Sequence, residues 1–201
     1  MNDVLLLLLV FSPLAGMLLL LFIKSDRERF IKWIGAAATV PALLISLYVY
    51  VQFQAGERLG QYDIRLDWFR FGNFEQYDPN LYAVRFELGV DGLSLVMLLL
   101  TSLLCTLAAI ASMQIKKEWK GYFLLFLTLE IGMLGVFVSE NLILFFLFFE
   151  VTLISMFFLI GKWGYGRSGQ AAYSFLIYNG LGSAVLLIVI MILFAKTGTS
   201  N

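Results

Sequence analysis

Two apolar arms joined by three polar residues limit what this chain can become. Gly121 to Val138 and Leu142 to Ile160 are each long enough for a helix to cross a bilayer core of ~30 Å. Ser139, Glu140 and Asn141 form the only polar break between them, so the arms read as a membrane hairpin. Each arm also carries one carboxylate, Glu130 in the first and Glu150 in the second. Counting from Glu140, one lies ten residues before the turn and the other ten after it. At ~1.5 Å per helical residue both are expected ~15 Å deep, near the bilayer centre. An ionised carboxylate there costs roughly 2.5–3.5 kcal/mol on insertion scales. Helix propensity gives no reason to keep two acids in such Phe- and Leu-rich arms. Glu130 and Glu150 are therefore read first as proton- or ion-path residues.

Composition extends this reading to the whole chain. Of 201 residues, 61% are hydrophobic and 14% charged, whereas soluble domains are nearer ~45–50% apolar and ~25% charged. Several runs of about 20 apolar residues predict an all-α polytopic membrane protein with no aqueous catalytic domain. The single Cys, Cys105, excludes an internal disulfide framework and a cysteine-ligated iron–sulfur cluster. The absence of His excludes a histidine-ligated haem and the commonest zinc sites. No cofactor is expected within the chain. No nucleotide-binding glycine loop, metal box or nucleophile pair occurs, and no nucleic-acid partner is expected.

Six spans are expected. Val4 to Ile23 is the first, with Pro13 inside it. It lacks a preceding basic residue and is followed by Lys24, Arg27, Arg29 and Lys32, a pattern of a retained anchor rather than a cleaved signal. Trp33 to Phe53 is the second, with Pro41 inside. Gly92 to Met113 is the third, the hairpin arms are the fourth and fifth, and Ala171 to Phe194 is the sixth. The links after spans one, three and five hold nine of the 14 basic residues, the later five being Lys116, Lys117, Lys120, Lys162 and Arg167. Positive-inside reasoning puts those links in the cytoplasm and both chain ends outside. The expected organisation is residues 1–53 for two spans, 54–88 for an extracytoplasmic loop, and 89–201 for the other four.

The long outer loop alternates. Tyr62, Ile64, Leu66 and Trp68 interleave with Asp63, Arg65 and Asp67; Tyr82, Val84, Phe86 and Leu88 interleave with Ala83, Arg85 and Glu87. This period of two predicts a short β-hairpin on the outer membrane face, with an irregular aromatic loop as the alternative. Asp91, followed by Gly92 and Ser94, reads as a helix N-cap. On the fourth span Thr128, Gly132, Gly135 and Ser139 form a stripe of small residues that lets a neighbouring backbone approach, with Glu130 on nearly the opposite side. The polar stretch Ser174, Tyr178, Asn179, Gly180, Gly182 and Ser183 on the sixth span suits either helix packing or a wet cavity. Cys105 reads as packing.

Four segments resemble one family. They are Glu87-Leu88-Gly89-Val90-Asp91-Gly92-Leu93-Ser94-Leu95, Leu129-Glu130-Ile131-Gly132-Met133-Leu134-Gly135-Val136-Phe137, Phe148-Phe149-Glu150, and Phe158-Leu159-Ile160-Gly161-Lys162-Trp163-Gly164. Together they resemble the N-terminal part of the subunit M (chain 4) family of NADH–quinone oxidoreductase, respiratory complex I. That family groups with the antiporter-like subunits of multisubunit cation/proton antiporters and membrane-bound hydrogenases. The resemblance implies a membrane-arm subunit among other membrane-arm subunits, in a bacterial inner membrane. It implies a contribution to proton translocation driven by quinone reduction elsewhere in the complex, with quinone met only through that complex and no redox catalysis in this chain. It also implies that Glu150 pairs electrostatically with a lysine on a neighbouring span. Many members carry that lysine within Ala-Ala-x-Lys-Phe; here the segment reads Ala171-Ala172-Tyr173-Ser174-Phe175. Members usually have about 14 spans, so a chain of six is expected to be a fragment or one piece of a split subunit. Two other readings stand beside this one: a subunit of a cation/proton antiporter, and a structural membrane scaffold whose carboxylates only lock helix pairs.

Overall fold

The computed structural model describes residues 2–24, 26–54, 63–70 and 83–197. Seven helices and two strands occur among them: α1 (Asn2–Phe22), α2 (Glu28–Ala37), α3 (Val40–Gln54), β1 (Asp63–Arg70), β2 (Ala83–Gly89), α4 (Gly92–Ala111), α5 (Trp119–Val138), α6 (Leu142–Trp163) and α7 (Ser168–Thr197). Counted by length and apolarity they make six candidate membrane spans, because α2 and α3 together form one of them, Glu28–Gln54. Helices are the open-ended form that spans a bilayer, since each satisfies its own backbone.

Proline explains the two irregularities near the start. Pro13 has no N–H to offer Leu9, yet α1 runs through it. The Ser12 hydroxyl donates to the Leu9 carbonyl instead, at 3.4 Å. At Pro41 the outcome differs. The expected single span Trp33–Phe53 is two helices, broken at Ala38 and Thr39. The proline ring opposes continued helix over the four preceding residues. Thr39 closes the end of α2 by donating its hydroxyl to Ala36 O at 2.9 Å. α2 also begins five residues before the expected span, so Arg29 and Lys32 belong to a helix rather than a link. Lys32 is nearly buried, pairs with Glu28 at 2.5 Å and lies over the Trp119 ring.

α5 is the centre of the bundle. It packs against α1, α2, α4 and α6, while α7 packs on α6. Half of the α5 span is buried, against 11% for α7. One core joins α1, α3, α4, α5 and α6 through Leu9, Val49, Leu98, Leu134 and Phe148. The expected small-residue stripe is the α5–α6 contact. A Cβ on Gly132 would sit 2.7 Å from Thr152 Cγ2 and 3.2 Å from Phe148 O, and one on Gly135 would overlap the Phe148 ring. The turn between the arms is set by Asn141, whose side chain accepts from the N–H groups of Ile143 and Leu144.

The three basic links gather at one face. Lys120, which lies in the first turn of α5 and not in a link, donates to Leu21 O and Ile23 O at the end of α1. A cation there also complements the helix dipole. Lys162, in the last turn of α6, pairs with Glu118 at 3.0 Å. At the other face β1 and β2 pair antiparallel, with Ile64 opposite Leu88 and an irregularity between Asp67 and Phe69. The hairpin is therefore formed as expected; Tyr62 and Tyr82 lie outside the described residues. Ile64 and Leu88 enter the main core. The alternation fails at Glu87, whose side chain is fully buried although the pattern assigns it to the polar side. The reason is a second cover on β2. Leu88 bridges to Ser139, and the Glu140 N–H donates to Glu87 O at 3.1 Å, so the α5–α6 turn continues the sheet.

Asp91 caps α4 as expected. Its carboxylate accepts from the Ser94 N–H at 2.6 Å, and the Ser94 hydroxyl accepts from the Asp91 N–H at 2.8 Å. These bonds hold the Asp91 carboxyl below the usual carboxylate range. A depressed folded pKa stabilises the protein above the unfolded value of ~3.9. That contribution is lost as pH falls through the lower folded value. Asp91→Ala should lower stability by about 1 kcal/mol at neutral pH, the usual worth of an N-cap. Thermal unfolding of the detergent-solubilised protein checks this, with the difference shrinking in strong acid.

Candidate functional site

The α5–α6 hairpin holds Glu130 and Glu150 on different interfaces. Glu130 leaves α5 opposite the glycines and is fully buried. Phe126 and Met133, one turn to either side on its face, pack with Cys105 and Ala109 of α4 and Ala36 of α2. Neither oxygen of the Glu130 carboxylate has a hydrogen-bond partner among the described residues. An acceptor buried without a partner costs ~1–3 kcal/mol.

Glu150 is half-buried on α6. It shares a helical stripe, at spacings of four, seven and eleven, with Ile154, Phe157 and Gly161. The lower end of that stripe meets α7. Phe157 and Tyr173 have ring centroids 5.8 Å apart, and a Cβ on Gly161 would lie 3.5 Å from that of Ala172. The helices run in opposite directions, so eleven residues back from Gly161 and eleven on from Ala172 reach the same level. Those positions are Glu150 and Ser183, and Ser183 is one of the few buried residues of α7. By this count Ser183 falls at the level of Glu150. Ser174, in the segment Ala171-Ala172-Tyr173-Ser174-Phe175, is exposed. Glu130 thus lies on the α5 face toward α4 and α2, and Glu150 on the α6 stripe whose lower end meets α7.

A further set of polar groups lies inside the bundle on α3 and α4, which the sequence pattern does not single out. The Ser46 and Ser102 hydroxyls are 2.8 Å apart and fully buried. Thr106 donates to Ser102 O at 2.8 Å, and Thr101 is also buried. Ser102 and Cys105 are three residues apart, hence on one face of α4. Cys105 itself packs as expected, in the cluster with Ala36, Ala109 and Phe126. Glu87 is the second buried acid. Among the described residues its oxygens lack hydrogen bonds, and Arg85 Nη1 lies 3.9 Å from its Oε1. Among the described residues no group of three or more His, Cys, Asp or Glu is placed to hold a metal ion.

Six spans, with an acid inside each arm of the central hairpin, define a multi-pass membrane protein built to carry charge-bearing groups at depth. Comparison with known proteins identifies the class. Residues 139–201 match the family described as NADH:quinone oxidoreductase/Mrp antiporter, transmembrane. Residues 68–140 match the family described as NADH-ubiquinone oxidoreductase chain 4, amino terminus. Together the two matches take in residues 68–201, and the chain is similar to the N-terminal part of chain 4/subunit M proteins. It is 35% identical over 195 residues to NADH-ubiquinone oxidoreductase chain 4 of Arabidopsis thaliana, covering 96% of this chain and 37% of that protein. It is 32% identical over 198 residues to NADH-quinone oxidoreductase subunit M of Rhodobacter capsulatus, covering 96% and 36%. The chain thus spans little more than a third of the length of these relatives. Its fold matches a chain in the structure of respiratory complex I from Thermus thermophilus with bound NADH, with a TM-score of 0.76, 22% identity, and coverage of 97% of this chain and 37% of that one.

Proposed function

We propose that this chain forms the N-terminal part of a membrane-arm subunit of a proton-pumping NADH–quinone oxidoreductase. In this reading it assembles with other membrane-arm subunits and contributes to proton translocation coupled to quinone reduction. One observation carries it. Within the described spans, away from their ends, acidic residues occur only on α5 and α6, at Glu130 and Glu150. Intramembrane acids are costly and mark proton or ion pathways.

The mechanism is indirect. Electrons move elsewhere in the complex, and a conformational or electrostatic signal reaches the membrane arm. Glu150 takes up and releases a proton on the α6 stripe that continues into the α6–α7 contact. Glu130 serves the α4–α5 interface as a second relay or coupling group. The setting is the energy-coupling membrane, in a bacterium the plasma membrane. The antiporter reading has its own support, because the family matched by residues 139–201 covers both kinds of complex. The chain 4 match over residues 68–140 favours the oxidoreductase.

The test is Glu150→Gln in the full-length subunit of the assembled complex. Protons pumped per electron should fall by about tenfold or more, the usual scale for a lost acid–base group. Assembly, followed on native gels, should stay normal. Unchanged pumping per electron would remove Glu150 from the pathway. Pumping that persists with a quinone-independent sodium/proton exchange would favour the antiporter.

A further inference from the structure

At the basic face, the ends of α4 and α6 and the first turn of α5 enclose an open cavity of about 710 Å³. Three lysines line it: Lys116 and Lys117 from the link after α4, and Lys162 from the last turn of α6. Three aromatic residues also line it: Tyr122, Trp163 and Tyr165. The wall is built rather than casual. The Trp163 Nε1–H donates to Lys117 O at 2.8 Å, which ties the end of α6 to the link after α4. The Tyr122 hydroxyl is 2.7 Å from that of Ser112 at the end of α4. The Tyr122 and Trp163 rings meet edge to face, with centroids 5.4 Å apart. Glu118 neutralises part of the charge by pairing with Lys162. Lys116 and Lys117 remain exposed, so the cavity keeps a positive excess.

We propose that this cavity binds the headgroup of an anionic phospholipid. Its position supports a lipid over a free anion. Trp and Tyr with a polar end and an apolar body belong at the level of the headgroups. The cavity opens at the ends of spans, and the apolar side chains Leu107, Ile110 and Phe158, one to three turns deeper on α4 and α6, are exposed where acyl chains run. The cluster of basic links marks this as the cytoplasmic leaflet, which carries the anionic lipids. The lysines supply the ammonium donors for the phosphodiester oxygens, and the exposed Tyr165 hydroxyl supplies a neutral one. A lipid held there would bridge α4 to α6 across α5, next to the turn that feeds Trp119 and Lys120 into the core.

The experiment uses the full-length subunit in its complex, reconstituted in nanodiscs of phosphatidylcholine. A photoreactive phosphatidylglycerol or a photoreactive phosphatidylcholine is added, and peptides bearing Trp163 and Tyr165 are followed by mass spectrometry. Phosphatidylglycerol should label these peptides about tenfold more than phosphatidylcholine, given the pull of several lysines on an anionic headgroup. Lys116→Gln with Lys117→Gln should bring the two lipids close to equal, while the double change to Arg should keep the preference. Equal labelling in the unaltered protein, or a preference that survives the Gln changes, would overturn the proposal. Loss of labelling on adding inorganic phosphate would also overturn it, and would assign the cavity to a free phosphate group. If the Gln variant does not assemble, the comparison of the two lipids on the unaltered protein decides.

Discussion

Gly132→Leu should abolish stable accumulation of the protein in the membrane. A Cβ at this position meets Thr152 Cγ2 at 2.7 Å, and Phe148 O and Thr152 N at 3.2 Å. Two of those three atoms are backbone, so they cannot swing away as the end of a flexible side chain can. α5 and α6 would have to separate, and α5 is the helix on which α1, α2 and α4 also pack. Overpacking a tight interior site costs about 1–3 kcal/mol, more where the neighbours are rigid. Natural proteins have only ~5–15 kcal/mol in all. Gly132→Ala should already lower the melting temperature measurably. Gly135→Ala should cost at least as much as Gly132→Ala, because its Cβ would overlap Phe148 Cδ1 and Cγ, and Cγ lies on the axis about which that buried ring turns. Gly169→Ala is the contrast. It lies in the first turn of α7 with nothing within 4 Å of its Cβ position. Helix propensity alone then acts, and the change should be neutral or stabilising by up to ~1 kcal/mol. Membrane abundance and the melting profile of the solubilised protein measure all four. Equal behaviour of Gly132→Leu and Gly169→Ala would mean that α5 and α6 do not approach through their small residues.

The difference between these glycines is partly legible in the amino-acid sequence alone. The stripe Thr128, Gly132, Gly135 and Ser139 is periodic, and periodicity within one helix survives folding unchanged. The spans α1, α4, α5, α6 and α7 are legible for the same reason, as is the Asp91 cap, where all the partners are local. What is not legible depends on contacts between distant segments. Pro41 is visible inside the second span, but whether a proline bends or breaks a helix depends on its surroundings. Pro13 is accommodated by Ser12, whereas Pro41 follows two residues that leave the helix. Glu87 sits on the polar side of an alternating strand. Its burial follows from the docking of Ser139 and Glu140, some fifty residues later. The Ser46–Ser102 pair joins helices 56 residues apart, and a serine in an apolar run has no periodic signature. Equal depth for Glu130 and Glu150 is a matter of counting residues. That Glu130 lies on the face toward α4 and α2, and Glu150 on the stripe that leads to α7, depends on the packing of those neighbours.

That divergence makes Glu130 the sharper test of what the acids are for. If it only locked helices, its carboxylate would be hydrogen-bonded across the α4–α5 contact, and removing it would loosen the protein. It is fully buried, and both oxygens lack a partner among the described residues. A buried polar group in this condition costs stability, and an apolar side chain of similar volume relieves that cost. Glu130→Met should therefore raise stability by about 1–3 kcal/mol. It should at the same time cut proton translocation per electron by about tenfold or more in the assembled complex. Glu130→Gln keeps the shape and an acceptor but cannot exchange an acidic proton. It should leave stability near that of the unaltered protein and lose translocation to the same extent. The two measurements separate the readings, because a relay predicts opposite signs for Met on stability and transport, whereas a lock predicts a fall in stability with transport retained. Melting by intrinsic fluorescence and proton-to-electron ratios in vesicles supply them. A destabilised Glu130→Met protein that still pumps normally would make this carboxylate a structural clamp and leave Glu150 as the sole acid in the path.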